Sequence, residues 1–173
     1  MRNDGQGIFR DARSAILFAL NYRGEQFAVS MLGRLAQDGA IGRGAGLYGL
    51  DGSATAGIVR ARMERLEPAQ CAALVARHAD VGSAPWLAAV GDVARFIGET
   101  EAARPINGVV LVASVRKFFG ERQTAEQIAA KAGNGMHRVT AQRQWQIVKA
   151  QLERVEAEAQ AAWSESLRAA GLT

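Results

Sequence analysis

The chain has 173 residues, of which 49% are hydrophobic and 6% aromatic, and its formal net charge is +4. That length can bury a core as one sizeable domain or as two small ones. A single cysteine excludes a disulfide framework, and no apolar run approaches the roughly 20 residues of a membrane-spanning helix. An alanine-rich chain with only three prolines favours an all-helical fold. We expect a cytoplasmic protein without a signal peptide or membrane contact.

The positive charge is concentrated in residues 104–149, which we call the basic stretch. It holds eight basic and two acidic side chains, a net charge of +6. Residues 1–103 hold eleven of each sign, and residues 150–173 have a net charge of −2. A local excess of this kind is typical of a surface that binds a polyanion, because neutralised phosphates release their counterions.

The N-terminal part is predicted to be a helical hairpin at residues 1–38, followed by a linker at residues 39–53. Apolar residues recur at helical spacing over residues 10–22, and residues 27–36 predict a second helix. Six glycines fall within the linker, a density that cannot remain helical. Because residues 39–52 lack the lysine and the serine or threonine of a phosphate-binding loop, we expect a connector there rather than a nucleotide site.

A helical core is predicted at residues 54–119. Its helices are expected at residues 54–66, 68–79, 86–103 and 109–119. Cys71 and His78 lie two turns apart on one of them, too far to share a metal easily, and no zinc-binding spacing occurs. No catalytic triad order or buried carboxylate pair can be argued either. We therefore predict a protein that is not an enzyme and that holds neither a metal nor a cofactor.

The C-terminal domain, residues 120–173, is predicted to contain a helix-turn-helix. Thr124 has the position of an N-cap, with Gln127 three residues later. The small residue, turn glycine and aliphatic plug of that motif match Ala129, Gly133 and Val139.

The second helix of this motif is predicted to continue as one long helix from Met136 to about Ala170. Val139 and Val148, with Trp145 or Ile147 between them, are expected to form its buried side. A helix of this length commonly packs on another helix or on a second copy of the chain, which leaves a homo-oligomer open.

A recognition helix of this kind would present its first residues to base edges in the DNA major groove. The residues expected to contact bases are Met136, His137, Thr140, Ala141 and Gln144. Basic side chains around them are expected to contact phosphates. These are Arg116, Lys117, Arg122, Lys131, Arg138, Arg143 and Lys149. The alternative is a helical hairpin whose charged side only faces water.

Four short patterns between residues 51 and 78 resemble a known family. They are Asp51-Gly52, Val59-x-x-Arg62-Met63, Arg65-Leu66-x-Pro68 and Leu74-Val75-x-x-His78. With the predicted helix-turn-helix, they resemble the phage late-gene antitermination protein Q family, in its helix-turn-helix branch. The resemblance covers roughly residues 51–78 and 115–155. The helix-turn-helix stretch is also similar to the promoter-reading region 4 of sigma factors.

The resemblance implies a protein of the bacterial host cytoplasm that binds double-stranded DNA next to a late promoter. It also implies loading onto paused RNA polymerase, with or without sigma factor, and read-through of terminators. We therefore expect a sequence-specific DNA-binding transcription regulator of antiterminator type. Two alternatives stay open: a phage repressor or activator that binds DNA as a dimer, and a helical phage interaction protein that does not bind DNA.

Overall fold

The computed structural model describes residues 8–22, 50–133 and 135–173. Within those ranges the chain forms seven α-helices and no strand, which confirms the predicted all-α fold class. The helices are α1 (Ala12–Asn21), α2 (Leu50–Met63), α3 (Pro68–His78), α4 (Ala84–Gly98), α5 (Gly108–Phe118), α6 (Ala125–Ala132) and α7 (Arg138–Ala169). None of these helices combines the length and apolar composition that a membrane crossing requires.

The predicted helix at residues 27–36 and most of the predicted linker lie outside the described residues. The linker was expected to run to residue 53, and this end is wrong because α2 already begins at Leu50. The inward side of α2 starts correspondingly early, with Thr55 and Ala56 buried one turn before Val59. Leucine at the start and alanines within the first turns favour helix strongly enough to overcome Gly52.

One compact unit comprises the described residues up to Leu66 together with Ala162–Thr173. Its core contains Ile16 and Val59, and the Trp163 indole donates a hydrogen bond of 2.9 Å to the carbonyl of Ala12. The Arg60 guanidinium closes the end of α1 by donating to the carbonyl of Ala19 at 2.7 Å. This unit therefore joins both ends of the described chain through specific hydrogen bonds as well as apolar burial.

The other compact unit comprises Glu67–Ala161. Within it α3 packs against α4, α4 against α5, and α5 against α6. Trp86 is 1% exposed, and its indole donates to the carbonyl of Phe119 at 3.2 Å, which satisfies the one polar atom of a large buried ring. The two units divide the chain at Leu66 and Ala162, not at the predicted limits of residues 54 and 120.

The predicted long C-terminal helix is confirmed, since α7 has 32 residues and is therefore about 48 Å long. One side of α7, which we call the buried seam, is inaccessible at every third or fourth residue. The buried seam consists of Ala141, Trp145, Val148, Leu152, Val155, Ala159, Trp163 and Leu167. This spacing makes α7 amphipathic over its whole length and determines which of its side chains face solvent.

Candidate nucleic-acid interface

The start of α6 is capped as predicted. The Thr124 hydroxyl accepts a hydrogen bond from the backbone N–H of Gln127 at 3.2 Å, and the Gln127 side chain accepts from the N–H of Thr124 at 2.8 Å. These reciprocal bonds satisfy two backbone donors that a helix start otherwise leaves unpaired. Ile128 and Ala129 are buried, so the small residue of the predicted motif lies on the inner side of α6.

The turn after α6 depends on Gly133, as predicted. Its φ of 65° and ψ of −157° belong to a region that only glycine occupies readily, and Gly135 also has a positive φ of 68°. The N–H of Met136 donates to the carbonyl of Gly133 at 3.0 Å, and α7 begins only at Arg138. The turn is therefore longer than the three to four residues that typically join the helices of a helix-turn-helix.

The expected role of Val139 as the inter-helix plug is wrong, because this side chain is 45% exposed. Ala141 takes the inward position instead and is 1% exposed. At about 100° per residue, Val139 and Val148 lie half a turn out of phase on one helix, so they cannot share a buried side. Val148 is fully buried and Val139 therefore faces outward. A helix-turn-helix is not confirmed by this arrangement.

The five residues expected to contact bases are not presented together. His137 and Thr140 are exposed and Met136 is half-buried, so these three lie at the surface where α7 begins. Ala141 is wrong as a base contact because it is buried. Gln144 is half-buried, and its side-chain carbonyl oxygen is fully buried without a hydrogen-bond partner among the described residues.

Three of the seven expected phosphate contacts are ion-paired within the chain. Arg116 lies 3.8 Å from Glu121, Arg138 3.2 Å from Glu126, and Lys149 3.3 Å from Glu153. All six side chains keep 30% or more of their surface exposed. Exposed pairs of this kind contribute only about 0.2–1 kcal/mol, so an approaching phosphate can compete for the cations.

The other four expected phosphate contacts carry no ion pair with any described residue. The ammonium of Lys117 lies 5.0 Å from the centre of the Trp145 ring, and that of Lys131 donates to the Gln123 side chain at 3.1 Å. Arg122 and Arg143 are exposed, and within the described part of the chain neither makes a ring contact or a side-chain hydrogen bond. These two guanidinium groups are the most available of the seven expected phosphate contacts.

A groove beside α6 brings several polar residues of the basic stretch together. Lys117, Arg122 and Thr124 line it, and Gly120 forms the bend between α5 and α6. Gly120 has a φ of +109°, and an added Cβ would lie 3.1 Å from a Val81 methyl group, so glycine is required there. Glu121 also lines the groove, so two cations and one carboxylate lie beside the N-terminal end of α6, whose dipole favours anions.

A clamp centred on Arg77 was not predicted from the sequence. Its guanidinium binds the Glu156 carboxylate with two hydrogen bonds, the longer one 2.8 Å, and donates to the carbonyl of Phe118 at 3.3 Å. It also lies 4.9 Å and 5.1 Å from the ring centres of Phe118 and Phe119. Arg77 thus ties the middle of α7, at Glu156, to α3 and to the end of α5.

Metal chemistry has no candidate site in the described ranges, since no three His, Cys, Asp or Glu side chains cluster closely enough to hold an ion. Cys71 and His78, weighed above as ligands, are both half-buried on α3.

Comparison of the chain with protein-family models, with curated proteins and with solved structures finds no match. The resemblance to the antitermination protein Q family therefore stays a prediction, with no family match to support it.

Proposed function

We propose that this chain binds double-stranded DNA through the surface formed by α6, the turn after it and the first residues of α7. The observation that carries the proposal is the net charge of +6 on the basic stretch, on side chains that remain accessible. None of the seven expected phosphate contacts is buried. Accessible cations on α5, on α6 and on the first turns of α7 are what non-specific attraction to a phosphate backbone requires.

The first two turns of α7 support binding to duplex DNA in particular. An exposed α-helix fits the major groove, whose width of about 12 Å admits it. The exposed side chains here are apolar, hydroxyl and basic, and the first acid of α7 is Glu153. An acid-free helix start can approach phosphates without like-charge repulsion.

The exposure of Val139 and the burial of Ala141 change how the hairpin would bind but leave the accessible cations in place. The residues available at the surface differ from those of a standard helix-turn-helix, and α7 would approach the groove with a different side. What remains is a charged helical hairpin with an outward-facing second helix, which is the common requirement of helical major-groove readers.

A salt series tests the proposal. Retardation of a labelled pool of random 40-bp duplexes is measured for the protein and for Arg122→Gln, with Arg168→Gln as the control, since Arg168 is exposed but lies outside the basic stretch. We expect affinity to fall steeply with salt, and Arg122→Gln to lower the salt slope by about one unit while the control leaves it unchanged. Absence of retardation at low salt would contradict the proposal and favour a helical interaction protein that does not bind DNA.

We further propose that the bound DNA serves transcription regulation, of antiterminator type, in the cytoplasm of a bacterial host. What supports this finer function is the resemblance of residues 51–78 and 115–155 to the antitermination protein Q family, which also implies RNA polymerase as a partner. Transcription with bacterial RNA polymerase, on a template carrying a selected binding site between promoter and terminator, tests it. Read-through is the expected result, whereas reduced initiation would indicate a repressor.

A further inference from the structure

We infer that Arg143 and Gln146 are the specificity-determining pair of α7, reading a guanine and a neighbouring adenine. The inference rests on the proposed DNA binding. In this inference Arg143 and Gln146 contact bases in place of Gln144 and Ala141, and Arg143 contacts a base instead of a phosphate.

The buried seam determines the direction in which these two side chains point. Val148 is fully buried, and at about 100° per residue Val139, Arg143 and Gln146 fall within a sector of about 60° on the opposite side of the helix. All three are exposed. We call these three residues the outward row. Gln144 lies outside that sector, and its carbonyl oxygen is buried.

Neither polar member of the outward row is held by the protein itself. In the described ranges Arg143 and Gln146 have no hydrogen bond or ion pair with another side chain. Arg154, which points the same way as Arg143 about three turns farther along α7, donates to Gln151 at 2.9 Å and lies 4.0 Å from Glu158. The outward row thus presents an uncommitted guanidinium and an uncommitted amide on consecutive turns.

The chemistry of the two groups matches two base pairs in the major groove. An arginine fork donates to O6 and N7 of guanine, and a glutamine amide pairs with N6 and N7 of adenine. Side chains three residues apart on a helix are neighbours, with Cβ atoms about 5–6 Å apart, so the two can reach adjacent base pairs.

Apolar neighbours on the same side complete the argument. Val139 and Ile147 are 45% and 41% exposed and flank Arg143 one turn before and one turn after. Methyl groups beside a base-reading arginine can pack on the thymine methyl group, which also lines the major groove. An arginine that contacts a phosphate gains nothing from neighbouring methyl groups, because the DNA backbone carries no methyl group.

Selection from a random duplex pool tests the inference. The protein is compared with Arg143→Lys, Gln146→Ala and the control Arg154→Lys, and the folded state of each is checked by thermal unfolding. Arg143→Lys retains the charge but loses the fork, so we expect the preference for one guanine to fall about tenfold while affinity for unselected DNA is unchanged. Gln146→Ala should lose preference at one adenine, and Arg154→Lys should select the parent sequence.

The outcomes separate this inference from the proposed function. If the parent protein selects a sequence that Arg143→Lys and Gln146→Ala also select, DNA binding stands and the inference is overturned. Uniform weakening by Arg143→Lys at every sequence assigns Arg143 to a phosphate and overturns it too. If the parent protein retains no duplex from the pool, both the inference and the proposed function fail.

Discussion

Two segments of α7, residues 138–149 and 150–161, share a buried side but differ on the side that faces away from the protein. The buried seam runs through both with the same spacing of three and four residues. The first segment has three basic residues and no acid, whereas the second has three glutamates and one arginine. In the second segment Arg154 is held by Gln151 and Glu158, while Arg143 in the first is held by no described side chain.

This difference shows that the buried side and the outward side of one helix are under separate physical constraints. Packing requires apolar groups at helical spacing, and both segments meet that requirement. Exposed charges that pair at i and i+4 stabilise a helix slightly. Arg143, which has no ion pair with any described residue, adds no such stabilisation, and its position in the first segment favours a binding role. The following predictions test whether the two segments differ in this way.

Aspartate should greatly reduce the stability of the protein at Ala141 but hardly change it at Val139. This contrast is the largest effect we expect. Ala141→Asp places an unpaired carboxylate in the core and should destabilise the protein by about 4 kcal/mol. Val139→Asp places the same group in solvent near a helix start, so stability should change by less than about 0.5 kcal/mol. Chemical denaturation followed by circular dichroism measures both.

The second segment supplies the control for that pair. Ala157→Asp lies on the exposed side and should leave both stability and DNA retardation unchanged. Val139→Asp should leave stability unchanged but weaken retardation about tenfold, because the new carboxylate faces phosphate. Unfolding by Val139→Asp would show that the plug of a standard helix-turn-helix is present after all.

Removal of the Arg77 clamp should reduce stability by a smaller amount. The loss arises at Glu156, in the second segment of α7. Arg77→Ala leaves a mostly buried Glu156 carboxylate without its two hydrogen bonds, and we expect a loss of about 1.5–3 kcal/mol. A double-mutant cycle with Glu156→Ala isolates the pair. Strictly additive losses would mean that the guanidinium stabilises the protein through Phe118 and Phe119 and not through Glu156.

The smallest expected effect concerns Glu126, which pairs with Arg138 at the start of the first segment. The Glu126 backbone N–H, and then the Arg138 guanidinium, lower the pKa of this carboxyl group below its ordinary value. A lowered pKa means that Glu126 contributes stability above the pKa of the unfolded state, and that this contribution is lost as the pH falls through the folded-state pKa. Glu126→Gln should therefore lose less stability on acidification than the parent protein.

Glu126→Gln should also strengthen binding to random duplex DNA a few-fold at low salt, since it releases Arg138 for a phosphate. Glu101→Gln is the matched control, because Glu101 is exposed and lies outside the basic stretch. An equal gain from the control would assign the effect to net charge alone.

The features that follow from local pattern were predictable from the sequence. The cap at Thr124, the turn at Gly133 and the length of α7 each depend on residues within a turn or two of one another. The all-α class likewise follows from composition and spacing. The start of α2 does not follow from local pattern in this way, because Gly52 lies inside the helix although glycine disfavours helix.

The register of α7 and the Arg77 clamp depend on distant parts of the chain. Which side of α7 is buried follows from where the helix starts after the turn and from what Trp145 and Val148 pack against, neither of which a short motif contains. The spacing of Val139 and Val148 in the sequence does show, by itself, that the two side chains cannot both face inward on one helix. Arg77 and Glu156 are 79 residues apart, and no local signal links them.

The most direct test of the central claim is photo-crosslinking from the two segments of α7. The photoreactive amino acid p-benzoylphenylalanine is placed at position 139 or 146 in the first segment and at position 157 or 160 in the second, all of them exposed. Each protein is irradiated on the random duplex pool at a concentration that saturates retardation. We predict crosslinks to DNA from positions 139 and 146 and none above background from positions 157 and 160. Equal crosslinking from both segments, or crosslinking from the second alone, would contradict the account.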